Sequence, residues 1–186
     1  MTPTSRLRCA CRAILHAQSI NHSGSYGRWM ASRCAVSERA YAFCMEHAPE
    51  MLLPDTLRSA ACRSGNEWGW PPETIPLVID AAETLGLLNV GGQLQFLMPQ
   101  GTCECYWVDV DTYKSVDKRL PWTERVNRTA EAALRDFEAL PKRYDFIAEG
   151  RVACASYLDG LVAQGRDPAD SMCFVWYVLN ETEGKC

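Results

Sequence analysis

Apolar positions recur along this chain with two different periods, and the period changes near its middle. From Ser37, which can cap a helix, Ala40, Tyr41, Cys44, Met45 and Ala48 fall on one side at helical spacing. Pro49 and Pro54 break that run. A short helix is expected over 55–63, with Asp55 as its cap and Gly65 as its stop. The segment Asn66-Glu67-Trp68-Gly69-Trp70-Pro71-Pro72 reads as a loop carrying two tryptophans. Pro72 suits a first helical turn, and Ile75, Val78, Ile79, Ala82 and Leu85 then keep helical spacing up to Gly86.

Past Gly86 the period falls to two. Residues 87–90 form a short apolar strand, and Gly91-Gly92 reads as a two-residue hairpin turn. Residues 93–98 alternate, with Leu94, Phe96 and Met98 on one face and Gln93 and Gln95 on the other. Pro99-Gln100-Gly101-Thr102 marks a second turn and 103–110 a third strand. A charged connection over 111–121 leads to the strongest helical pattern, 122–140, with Trp122, Val126, Ala130, Ala133, Leu134, Phe137 and Leu140 on one stripe. Pro141 ends it. A further helical stretch spans 143–163, breakable at Gly150, with Ile147, Cys154, Leu158 and Leu161 inward. Gly165 and Asp167-Pro168 punctuate. Residues 172–179 are apolar and aromatic throughout and read as a buried strand, a buried helical turn being the alternative. Helices, then strands, then helices predict an α+β fold. Its sheet is a three-stranded antiparallel meander, with a C-terminal strand if 172–179 joins, packed against several helices.

Composition adds a boundary. The 186 residues suit one domain of ordinary size, large enough for a core without staples, and no apolar run approaches a membrane span. Residues 1–37 contain five arginines and no acid; the remaining residues carry 14 basic and 23 acidic groups, a net of −9. Residues 1–35 therefore read as an N-terminal extension, either flexible or the product of a mis-chosen start with Met30 as the natural one. A mitochondrial presequence is the third reading. Residues 36–186 read as a single α+β domain. An acidic body repels nucleic acid and anionic membrane and attracts cationic partners, although net charge also serves solubility alone.

The ten cysteines do not suggest a secreted disulfide scaffold, because the first residues lack a compact apolar signal core. Several sit within apolar patterns, at Cys44, Cys154 and Cys173, and read as small core residues of a cytoplasmic protein. Neither Cys-x-Cys pair has zinc-ligand spacing, and Cys103 and Cys105 would share one strand face. Of three histidines, His16 and His22 fall in the extension and His47 stands without a positioned nucleophile. No nucleophile elbow, phosphate loop or zinc-protease motif is present. No catalytic residue, metal or cofactor is therefore assigned. Glu104, Asp109, Asp111 and Asp117 cluster around the third strand, and Trp68, Trp70, Tyr106, Trp107 and Trp122 occur in loops or beside acids. Aromatics beside acids describe a binding surface better than an active site, since tryptophan and tyrosine bury large area at small entropic cost.

The run Trp68-Gly69-Trp70-Pro71, Leu85-Gly86-Leu87, Gly91-Gly92-Gln93-Leu94-Gln95-Phe96, Pro99-Gln100-Gly101-Thr102-Cys103-Glu104-Cys105-Tyr106-Trp107 and Trp122-Thr123-Glu124-Arg125 resembles small bacterial immunity proteins of polymorphic or type VI secretion toxin systems. The likeness covers about 36–140. It implies a cytoplasmic protein that neutralises a cognate toxin, such as a basic nuclease, by direct binding. Partner-binding residues are then expected at Trp68, Trp70, Glu104, Tyr106, Trp107, Asp109, Asp111 and Asp117, with no nucleic-acid or membrane partner. The extension departs from that pattern. The competing reading is a metal- or thiol-dependent enzyme or redox protein using Cys103, Cys105 and nearby carboxylates.

Overall fold

The computed structural model describes residues 48–99 and 101–185. The extension, the three histidines and nearly all of the helix expected from Ser37 lie outside those residues. Pro49–Gly184 is one compact unit. Its helices are α1 (Asp55–Ala60), α2 (Ile75–Thr84), α3 (Trp122–Ala139) and α4 (Phe146–Ala163). Its strands are β1 (Cys62–Ser64), β2 (Glu67–Trp70), β3 (Leu88–Met98), β4 (Gly101–Asp111) and β5 (Met172–Leu179). The fold class is α+β. The strands form one antiparallel sheet in the order β1-β2-β5-β3-β4, so 172–179 is a strand and the middle one. No described helix is long and apolar enough to cross a membrane.

Two local expectations need correction. Residues Glu67–Trp70 are not a loop. Gly65, with φ +58°, makes a tight turn that folds β1 onto β2, pairing Ser64 with Glu67. This also stops α1 at Ala60, short of Arg63. Asp55 is the first residue of that helix, not its cap, and pairs with Arg58 one turn on.

Nor does Gly91-Gly92 turn the chain: β3 runs straight through it. Gly91 has φ +118° and sits beside a bulge, where Asn89 pairs with Val178 and Gly91 with Tyr177. At Gly92 a Cβ would stand 1.9 Å from the Val175 carbonyl oxygen. The glycines let strands approach and twist instead of reversing them. Periodicity alone does not separate the two uses, because both put glycine between apolar runs.

One sheet face carries Leu94, Phe96, Cys103, Cys105, Phe174 and Trp176 into the core. There they meet Ala130, Ala133 and Phe137 of α3 and Leu158 and Leu161 of α4. Phe137 stands edge-on to Phe174 at 5.1 Å and to Trp176 at 6.1 Å. Fully burying a side chain of this size contributes about 1.5–3 kcal/mol. A polar pin runs through the same core. Buried Asn89 accepts from the Trp176 indole at 3.0 Å and donates to the Ile79 carbonyl at 3.4 Å. Its backbone N–H donates to Thr129 Oγ1 at 3.2 Å, and its carbonyl accepts from Thr112 Oγ1 at 2.7 Å. Four elements thus share one satisfied residue, so this cluster reads as structural.

Candidate functional site

In the strand order β4 has a partner on one side only, so it forms an edge of the sheet among the described residues. Its register against β3 breaks: Gln93 pairs with Asp109, but Leu94 pairs with Cys105. Tyr106, Trp107 and Val108 are the extra residues, and they bulge from the ladder. A bulge at an edge re-aims side chains. Val108 turns into the core, Trp107 is half-buried, and Tyr106 is 63% exposed. The Tyr106 and Trp107 rings meet edge to face at 5.2 Å. The Trp107 indole donates to Glu149 Oε2 of α4 at 2.7 Å. Asp145 caps that helix by accepting from the N–H groups of Ile147 and Ala148, which fixes the turn carrying Glu149. The exposed tyrosine therefore stands on an indole whose orientation is set from a second element.

The acids expected here divide by environment. Glu104 lies on β4 opposite Gln95 and accepts from Gln93 Nε2 at 3.3 Å. Asp109 and Asp111 are exposed along the same strand. Asp111 pairs with Lys114 at 2.5 Å, and this hydrogen bond with its charge raises the lysine pKa. Asp117 lies beyond the strand in the connection to α3. It holds Arg119 through Nε at 3.0 Å and Nη2 at 2.7 Å, and these bonds lower its pKa. Among the described residues no ion pair engages Asp109.

Tyr106, Trp107, Asp109 and Asp111 thus share one strand edge, with Glu104 just before the bulge. Asp117 is neutralised by its own neighbour. Trp68 and Trp70 do not belong to this surface. They are 6% and 0% exposed, ring against ring at 6.3 Å, and β5 and β3 separate β2 from β4, about 14 Å at ordinary strand spacing. The Trp70 indole donates to the Leu57 carbonyl at 2.7 Å, and the Arg63 guanidinium covers the Trp68 ring at 4.3 Å. As partner-binding anchors they are withdrawn: alternation within a strand, not a loop, turned both inward. Sequence reading missed Glu149 and Arg119. Glu149 sits 42 residues from Trp107, so no local pattern links them.

The thiols behave as core residues. Cys103 and Cys105 are buried on one face, as their spacing requires. Burial, then the neighbouring Cys103 and Glu149, push the Cys105 pKa up to about 12; burial and hydrogen bonding with Cys103 push Cys154 up to about 12. A nucleophilic cysteine acts as its thiolate, which burial disfavours at Cys105 and Cys154. Among the described residues no group of three or more His, Cys, Asp or Glu side chains is placed to hold a metal. Comparison with protein-family models, with curated protein sequences and with solved structures gives no match.

Proposed function

We propose that this protein binds and neutralises a cationic protein partner of the toxin type, using the β4 edge around Tyr106. The observation that carries the reading is the exposed Tyr106 ring, held on a Trp107 that Glu149 fixes, on the same edge strand as the exposed Asp109, which no ion pair engages among the described residues. A rigid aromatic flanked by carboxylates suits a lysine or arginine of the partner. The ring face attracts one cation, Asp109 further along the strand can pair with another, and little side-chain entropy is lost because the ring is already oriented. The acidic body, net −9 over residues 38–186, supports steered encounter with a basic surface. The toxin class rests on the resemblance to immunity proteins, and a cytoplasmic site of action follows from that class.

The test is co-expression of the full chain with the product of an adjacent open reading frame. A stoichiometric complex is expected, whose association rate falls steeply with salt. Replacing Tyr106 and Asp109 by alanine should weaken it by at least about tenfold, roughly the 1.4 kcal/mol of one good interface contact. A complex of unchanged affinity in that double variant would sink the proposed surface.

A further inference from the structure

Among the described residues, the first turn of α3 holds an arginine that makes no ion pair. Arg125 is only 6% exposed, and its Nε and Nη2 are buried without a hydrogen-bond acceptor. These two nitrogens lie on the same edge of the guanidinium, with N–H bonds parallel. They form the fork that grips two oxygens of one carboxylate or phosphate group. The same molecule shows that geometry in use, where Arg119 grips Asp117 through Nε and Nη2. The next cation of the helix is ion-paired: Arg128 holds Glu124 at 2.6 Å.

Helical side chains lean toward the N-terminus, and Arg125 lies back over the first residue of α3, its Cζ 5.0 Å from the centre of the Trp122 ring. That helix has 18 residues and begins behind Pro121, with no side-chain capping bond. The N–H groups of Trp122, Thr123 and Glu124 precede the first helical bond, which Arg125 N–H makes to the Pro121 carbonyl at 3.0 Å. Their dipoles favour an anion. Trp122 flanks this point. It is half-buried, its indole bonded to the Gly86 carbonyl at 2.9 Å and its ring against Gly184, where a Cβ would come within 2.3 Å.

We infer that Arg125 and the first turn of α3 form a receptor for one oxyanion, a carboxylate or phosphate group gripped side-on by Nε and Nη2 beneath the Trp122 ring. This site is independent of the β4 surface and has the opposite charge preference.

The experiment uses the full chain with ¹⁵N-labelled arginine, titrated with inorganic phosphate and separately with acetate, at ionic strength held constant with sodium chloride. The Arg125 Nε–H resonance, identified by its contacts to the Trp122 ring and its loss in R125K, should move saturably, and the melting temperature should rise with it. R125K keeps the charge but loses the fork, so binding should weaken about tenfold. Response to phosphate alone, acetate alone or both supports the site and names its ligand class. If the resonance ignores both anions, the receptor is refuted. If melting rises equally in wild type and R125K, the effect is an adventitious ion only and the proposal fails. Should R125K not fold, the wild-type resonance still decides.

Discussion

Gly92 approaches β5 so closely that any side chain would strike the Val175 carbonyl and the Trp176 ring. Gly92→Ala is therefore expected to cost about 3 kcal/mol or more in urea unfolding, at the top of the range for forced overpacking. Asn89→Leu removes the acceptor of the Trp176 indole and the donor to Ile79, and should cost about 2–3 kcal/mol by the same measurement. The thiols give a pH dependence. Burial first, then neighbouring thiols and carboxylates, raise Cys105, Cys154 and Cys173 from an ordinary 9.0 to about 12. Between those values the unfolded chain gives up protons that the folded chain keeps. Stability should be intact below about pH 9 and fall as pH rises toward 12. Equilibrium unfolding at stepped alkaline pH checks this, and a flat profile would contradict the burial. At this scale the sequence was informative about which residues are inward, as with Cys103 and Cys105. It was silent on partners such as Glu149, because contacts between residues 42 apart leave no local signature.

Among the elements, α3 was the most legible. Val126, Ala130, Ala133 and Phe137 of its stripe are buried as their spacing requires, while Trp122 is half-buried and Leu134, expected on the same stripe, is exposed. Strand β5 was legible from eight continuous apolar residues, which fit a central strand covered on both sides. Strand β2 was not, because Pro71 and Gly69 look like loop residues; here Gly69 instead makes room for the Cys173 sulfur, 3.0 Å from where its Cβ would be. The β4 bulge was also unreadable, since a register shift depends on the partner strand. Its support can be tested. Glu149→Ala frees the Trp107 indole and should cost about 1 kcal/mol while broadening the near-ultraviolet circular dichroism of the Tyr106–Trp107 pair. Glu149→Gln keeps an acceptor and should retain most of the signal. Equal spectra in all three proteins would mean that the bulge holds its shape without α4.

At the scale of the molecule, helices flanking strands were enough to predict the class, but strand order was not, since the alternation of one strand says nothing about its neighbour. The central position of β5 makes it the joint between two hairpins, β1-β2 and β3-β4. Phe174→Ala, in the middle of that joint, should cost about 3–5 kcal/mol and abolish both hairpins together in a single thermal transition. Separate melting of the two halves would contradict the joint. The same placement has a consequence during synthesis. On the ribosome, the inner edges of β2 and β3 emerge long before Met172–Leu179 can fill the space between them. At about 5–20 residues per second that wait lasts several seconds. Through it each nascent chain displays two unpaired edges of matching chemistry, which the β5 segment of another nascent chain on the same messenger can enter. Crowded polysomes should therefore yield strand-exchanged aggregates, and lower messenger levels more monomeric protein at equal total synthesis.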